Sequence, residues 1–459
     1  VRDIALRTID AVNQRSAVPY QTDDVALVLR MSIRSGEALT ADIEQLAELR
    51  RQRPRPTFTL TGVDDQRSPG LRSIIRGTIN GTSYLDPGNT FRFNRDETGS
   101  IVPASPKALD VVVAVPTTSA TDGPPPVIAF LHGSPGDAEQ LLTLGAVPGI
   151  DGMSLLESGY AIAAVSVDNN DAPPTESENT NGFVTGPAGP INGSTVREMQ
   201  SVSEIFEFLR WLKSQDNFDF APTGGDGTPD FSSAWVGYYG VSAGANRGMT
   251  ALPYVTEVDA AVLTVGGLRA SDRTEFSGFL LSDQPLQSFI DRDRQFTPNT
   301  VGALAPLAEI SRDAVSPINH VHRHFSDQVD LGTPQRASLL ITEGIVDTIA
   351  PNDSTRAVAA AYGAGLIQHI PPIQESVLIL DVGPAELSAN INSTTTAGFA
   401  QFVASGSPVG MVSPSCATIT EGHFCAANTP EPISQIRSFF DTRSEATRLN
   451  SSHPSRSRM

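Results

Sequence analysis

Gly240-Val241-Ser242-Ala243-Gly244 follows the apolar run AWVGYY and precedes a helix-compatible stretch, ANRGMTAL. A serine on a sharp strand-to-helix turn has its hydroxyl exposed, and its neighbours two positions away must be tiny for the turn to close. Gly240 and Gly244 meet that need. The hydroxyl is a weak nucleophile until a base takes its proton, so such a turn requires a histidine and a carboxylate to orient it. Acyl chemistry of this kind also needs N–H groups aimed at a developing oxyanion. His132-Gly133-Ser134-Pro135-Gly136 ends the run VIAFL upstream of the serine and supplies small residues and a rigid turn at a strand end. The plainer alternatives are an ordinary Gly-rich turn for the first segment and a Pro-Gly turn for the second.

Seven histidines compete for the role of base. His132 belongs to the turn just described, and His453 lies in a C-terminal segment without apolar periodicity. His320, His322 and His324 would share one face of a strand, as a metal site requires, yet no nearby acidic set completes the ligands. Solvated histidines of a helix or loop are expected there instead, and no metal. His369 precedes Ile370-Pro371-Pro372 and reads as a surface connection. His423 remains, in Glu421-Gly422-His423-Phe424-Cys425, on a late loop before the helix-like EPISQIRSFF. For the acid, Asp347 is favoured: EGIVD continues from the run SLLIT into a loop closed by Pro351, and sites assemble at the carboxyl ends of such strands. Glu343 in the same loop and Asp381 after SVLIL stay open as rivals.

These residues need a scaffold that brings strand ends together. From about 58 to 116 the pattern has period two, with turn pairs Asn80-Gly81 and Pro87-Gly88, and predicts antiparallel strands. After Pro124-Pro125-Pro126 come short apolar runs at 127–131, 160–167, 234–240, 260–265, 338–342 and 376–380, separated by helix-length segments. That is the signature of a parallel sheet covered on both faces. The fold class is α/β, with a mostly parallel sheet and antiparallel leading strands over 58–446. Val202, Ile205, Phe206, Leu209 and Leu212 mark one face of a helix over about 195–213. Residues 168–193 read as a surface loop, and 267–336 is long enough to be a partly helical lid. Residues 1–57 read as a helical segment of unknown role, with Ile43, Leu46 and Leu49 in phase. Residues 447–459 resemble a non-native tail.

Composition excludes several classes. The 459 residues carry a formal charge of −19 and only two lysines, Lys107 and Lys213, so binding to a phosphate backbone is not expected. No stretch approaches the ~18 consecutive apolar residues of a membrane span. Cys416 and Cys425 are the only cysteines. Two thiols so close in one loop segment can form a local disulfide, which points to a secreted or periplasmic, bacterial location.

Over about residues 105–443 the chain resembles the α/β-hydrolase superfamily: HGSPG is similar to its oxyanion loop, GVSAG to its nucleophile elbow, GIVDTIAP to its acid loop and EGHF to its histidine loop. The resemblance implies Ser242 as nucleophile, His423 as general base and acid, Asp347 as its orienting partner, and the N–H groups of Ser134 and Ala243 as the oxyanion hole. His132, Gly133, Gly240 and Gly244 would support the turns. It also implies hydrolysis of carboxylic esters through an acyl-enzyme, without a cofactor, on a small-molecule, lipid or polyester substrate. The first residue inside the elbow is Val241 where lipases commonly have His, which favours esterase over lipase. HGSPG is also similar to the loop of aminopeptidase-like members, so amide cleavage is the nearest alternative, and a non-catalytic binding protein on a degenerate scaffold is a third. Residues 1–104 lie outside the resemblance.

Overall fold

The computed structural model describes residues 36–65, 70–133, 136–143, 152–167, 191–215, 217–267, 313–332, 336–347, 349–367, 390–392, 394–405, 413, 416–420 and 422–451. The chain divides into two compact units, Val1–Leu39 and Thr40–Met459. In the first, Gly36–Leu39 form the start of helix α1 (Gly36–Gln52). All else described belongs to the second.

The strands of the main sheet are β1 (Phe58–Asp64), β2 (Leu71–Ser83), β5 (Ser105–Pro116), β6 (Pro126–Leu131), β7 (Ala161–Val165), β8 (Ser232–Val241), β9 (Ala260–Thr264), β10 (Ser338–Ile345), β11 (Gly365–Leu366) and β12 (Ala397–Val403). A separate two-stranded sheet joins β3 (Leu85–Asp86) to β4 (Asn89–Phe93). The main sheet runs β1-β2-β5-β7-β6-β8-β9-β10-β12-β11. Its first three pairings are antiparallel and all the rest are parallel. The sequence reading of antiparallel leading strands followed by a parallel sheet is therefore correct.

Both faces of the parallel region are buried, which is why its strands are apolar without alternation. In β6, Val127, Ala129 and Leu131 enter one core while Ile128 and Phe130 enter the other. The first core also takes Val202, Ile205, Phe206, Leu209 and Leu212 from α2 (Ile191–Leu212), and Ala245 and Met249 from α3 (Ala243–Ala251). Emptying one such site, as in Phe206→Ala, costs about 3–5 kcal/mol. Beyond β10 lies α4 (Asn352–Tyr362). The second core is closed by Cys425, Ala426 and Ala427 of α5 (Gly422–Asn428) and by Ile436 and Phe440 of α6 (Pro430–Ser451).

β12 was not foreseen. Its sequence, AGFAQFV, is broken by Gly398 and Gln401, so it lacks the continuous apolar run that marks the other strands. Gln401 is nonetheless buried, its amide donating to Glu343 Oε1 at 2.7 Å. The run 376–380 with Asp381, residues 168–190 and residues 268–312 of the expected lid lie outside the described residues. The described end of that interval is mixed: His320, Val321 and His324 are buried, while Ser326, Asp327 and Gln328 are exposed. No helix among the described residues is long and apolar enough to cross a membrane.

Candidate active site

β8 ends at Val241, and α3 begins at Ala243. Ser242 between them has φ 55 and ψ −117, a region that costs a non-glycine residue about 1–3 kcal/mol. Two backbone bonds hold it there: Ser242 N–H donates to Thr264 O at 2.9 Å, and Asn246 N–H donates to Ser242 O at 3.0 Å. The side chain makes no capping bond to its own helix. The flanking glycines are required by contact. A β-carbon on Gly240 would lie 2.6 Å from Gly244 O, and one on Gly244 would overlap the carbonyl of Leu131 at the end of β6.

That close approach puts the 132–133 turn against the serine. A β-carbon on Gly133 would stand 3.1 Å from Ser242 Cβ and 3.6 Å from its Oγ. His132 Nδ1 lies 2.6 Å from Gly133 O; a carbonyl only accepts, so the imidazole donates from Nδ1. Burial pushes the His132 pKa down to about 4, so the ring is neutral near pH 7 and serves to fix the turn. Ser134 lies outside the described residues.

Val241 and Thr342 both pair with Thr264. The serine turn and the acid loop therefore leave the same edge of the sheet, on strands about 10 Å apart. Asp347 is buried, and its Oδ1 accepts from Ile349 N at 2.9 Å and Ala350 N at 2.7 Å. Its Oδ2 lies 2.9 Å from His423 Nδ1. Nδ1 of His423 is thus engaged by the carboxylate, which leaves Nε2 as the ring's other nitrogen. The rival Glu343 points elsewhere: its Oε1 accepts from Arg356 Nε at 3.0 Å and from Gln401. Burial raises the Glu343 pKa to about 7 against the pull of Arg356. The structure thus brings Gly133 to Ser242 and Asp347 to His423.

A strained serine on a strand-to-helix turn and a mostly parallel sheet with antiparallel leading strands decide the architecture. The fold is of the α/β-hydrolase type. No family model and no curated protein matches the chain. Among solved structures, it is similar to acetyl xylan esterase 1 from Thermoanaerobacterium sp. JW/SL YS485, with 14% identity and a TM-score of 0.41 over 71% of this chain and 83% of that one. It is also similar to the hyperthermophilic esterase from Pyrobaculum calidifontis, with 14% identity and a TM-score of 0.38 over 90% and 94% of the two chains. A prolyl endopeptidase gives 12% identity and a TM-score of 0.39 over 86% of this chain and 47% of that one.

In this α/β-hydrolase fold the disulfide joins Cys416 to Cys425, two residues after His423 on α5. The expectation of solvated histidines at 320–324 is overturned for two of the three. His320 is buried, with Nδ1 2.8 Å from Tyr254 OH and Nε2 3.0 Å from Ala314 O, and His324 is buried with Nε2 3.1 Å from Ala337 O. Both have pKa values pushed down to about 4 by burial. His322 is partly exposed on the short helical turn His322–Phe325. Among the described residues no cluster of His, Cys, Asp and Glu could hold a metal ion. Sequence reasoning missed Asn352, whose side chain bonds the acid loop at Gly344 and Val346. The available signal was a polar residue directly after Pro351 at a helix start.

Proposed function

We propose that the chain is a serine hydrolase that cleaves carboxylic esters through an acyl-enzyme intermediate. The observation that carries this reading is the 2.9 Å hydrogen bond between His423 Nδ1 and Asp347 Oδ2, on the sheet edge that also carries the strained Ser242. Ser242 Oγ attacks the ester carbonyl while His423 Nε2 takes its proton. The oxyanion accepts from the N–H of Ala243, in the first turn of α3 where N–H groups lack helical partners, and from that of Ser134 as the resemblance implies. His423 then protonates the departing alcohol, leaving Ser242 acylated. A water molecule repeats the sequence in reverse, giving its proton to His423 and releasing the carboxylic acid. Asp347 orients the imidazole and stabilises its charged form throughout.

The substrate is an ester of small-molecule, lipid or polyester type. The Cys416–Cys425 bond supports a secreted or periplasmic location, because disulfides persist in oxidising compartments. The deciding experiment treats the purified protein with an active-site-directed phosphonate and measures hydrolysis of a chain-length series of aryl esters. Labelling at Ser242, and a loss of several orders of magnitude in Ser242→Ala with the fold intact, are expected. Activity of Ser242→Ala within about tenfold of the parent would overturn the assignment.

A further inference from the structure

The turn leading from β10 to Asp347 is held by one side chain that belongs to neither catalytic loop. Asn352, the first residue of α4, donates from Nδ2 to Gly344 O at 2.7 Å, and its Oδ1 accepts from Val346 N at 3.1 Å. It thus binds the peptide groups on both sides of Ile345. Val346 has φ 70, a conformation that a β-branched residue adopts only when its surroundings impose it. The carbonyl of that same residue accepts from Gly422 N at 3.0 Å, directly before His423. Asp347 follows Val346 and meets His423 at 2.9 Å.

Asn352 is itself anchored. Arg356, one turn further along α4, donates to Glu343 Oε1, which also receives Gln401 from β12. The first turn of the helix is therefore tied through Glu343 to two neighbouring strands.

We infer that Asn352 is a positioning residue: it holds Val346 in the left-handed conformation, so that the Asp347 carboxylate and the Gly422–His423 backbone keep one fixed relation. Its kinetic readout rests on the proposed triad, whereas its spectroscopic readout does not.

The test compares the parent with Asn352→Ala and with Asn352→Ala/Val346→Gly. The low-field Nδ1–H proton resonance of His423, identified by its loss in His423→Gln, is recorded for each. In Asn352→Ala this resonance shifts or broadens, and kcat on a short aryl ester falls by about 10- to 100-fold, the scale of a displacement of about 1 Å, while KM stays within about twofold. Glycine adopts positive φ without a side-chain clash, so Val346→Gly in that background restores part of kcat and sharpens the resonance. Should Asn352→Ala fail to fold, Asn352→Asp, which keeps an oxygen for Val346 N but loses the donor to Gly344, is measured the same way and shows a smaller effect in the same direction. An unshifted resonance together with unchanged kcat in a folded Asn352 variant overturns the inference. A parent that neither hydrolyses esters nor takes phosphonate at Ser242 overturns the proposed function instead, and the His423 resonance still decides the role of Asn352.

Discussion

Gly344 and Gly422 meet backbone to backbone. A β-carbon on Gly344 would overlap the carbonyl of Gly422, and one on Gly422 would lie 2.5 Å from Gly344 O and 2.7 Å from Asp347 N. The acid loop and the histidine loop are therefore seated on each other through the absence of two side chains. Gly422→Ala should force them apart. An overpacked site costs about 1–3 kcal/mol, and a shift of about 1 Å at His423 should cost about 100-fold in kcat. Kinetics and the urea midpoint measured on the same variant check this, and a kcat within about threefold of the parent would contradict it.

Asp347 and Glu343 separate in the same way. Asp347→Asn should lower turnover by up to ~10⁴, because an amide at that position can stabilise the wrong imidazole tautomer. Glu343→Gln leaves the Asp347–His423 bond in place and should act mainly on stability, since Glu343 joins Arg356 to Gln401. Turnover numbers for both variants decide it. The reverse ranking would reassign the acid.

Stability should fall on acidification between pH 6.5 and 4. His132, His320 and His324 have folded pKa values of about 4 against an ordinary 6.5, each lowered chiefly by burial. The unfolded chain then binds more protons in that window, so their contribution is fully present above pH 6.5 and is lost as pH falls towards 4. Glu343, raised to about 7 from 4.5, acts with the opposite sign: the stability it contributes at low pH is lost as pH rises through that interval. Glu207 and Asp230, also raised by burial, act in the same sense as Glu343, and the three histidines are expected to outweigh these carboxyls. Urea midpoints taken every half unit should slope downwards below pH 6.5, and His320→Gln should flatten the slope; a flat profile in the parent would refute the account.

Reduction of Cys416–Cys425 should impair catalysis before it unfolds the protein. The chain-entropy model gives about 2.7 kcal/mol for closing a loop of this size. Cys425 shares the short helix α5 with His423, and both cysteines are buried in the second core. Cys416→Ser with Cys425→Ser should therefore lower the temperature of activity loss by more than that of global unfolding. Equal shifts in the two temperatures would assign the disulfide to overall stability alone.

Much of this molecule is legible in its sequence. Period-two alternation at 58–116 and the unbroken apolar runs after Pro126 are local properties, and they specify antiparallel and doubly covered parallel strands respectively. Gly240 and Gly244 around Ser242 are equally local, because the turn itself demands them. What lay beyond the sequence was long-range. The sequence reading favours Asp347 and places its rival Glu343 in the same loop, whereas Glu343 lies within strand β10. Val346 turns left-handed with its N–H on Asn352 and Asp347 meets His423, whereas Glu343 bonds Arg356 and Gln401. A valine gives no sign of positive φ, since that conformation is imposed by its surroundings, here including Gly422 far along the chain. β12 was hidden for a related reason: Gln401 looks like a surface residue until Glu343 is found beside it. Local periodicity names the strands and the flanking glycines name the serine turn; which carboxylate meets the histidine is decided by contacts between segments that the chain brings together only on folding.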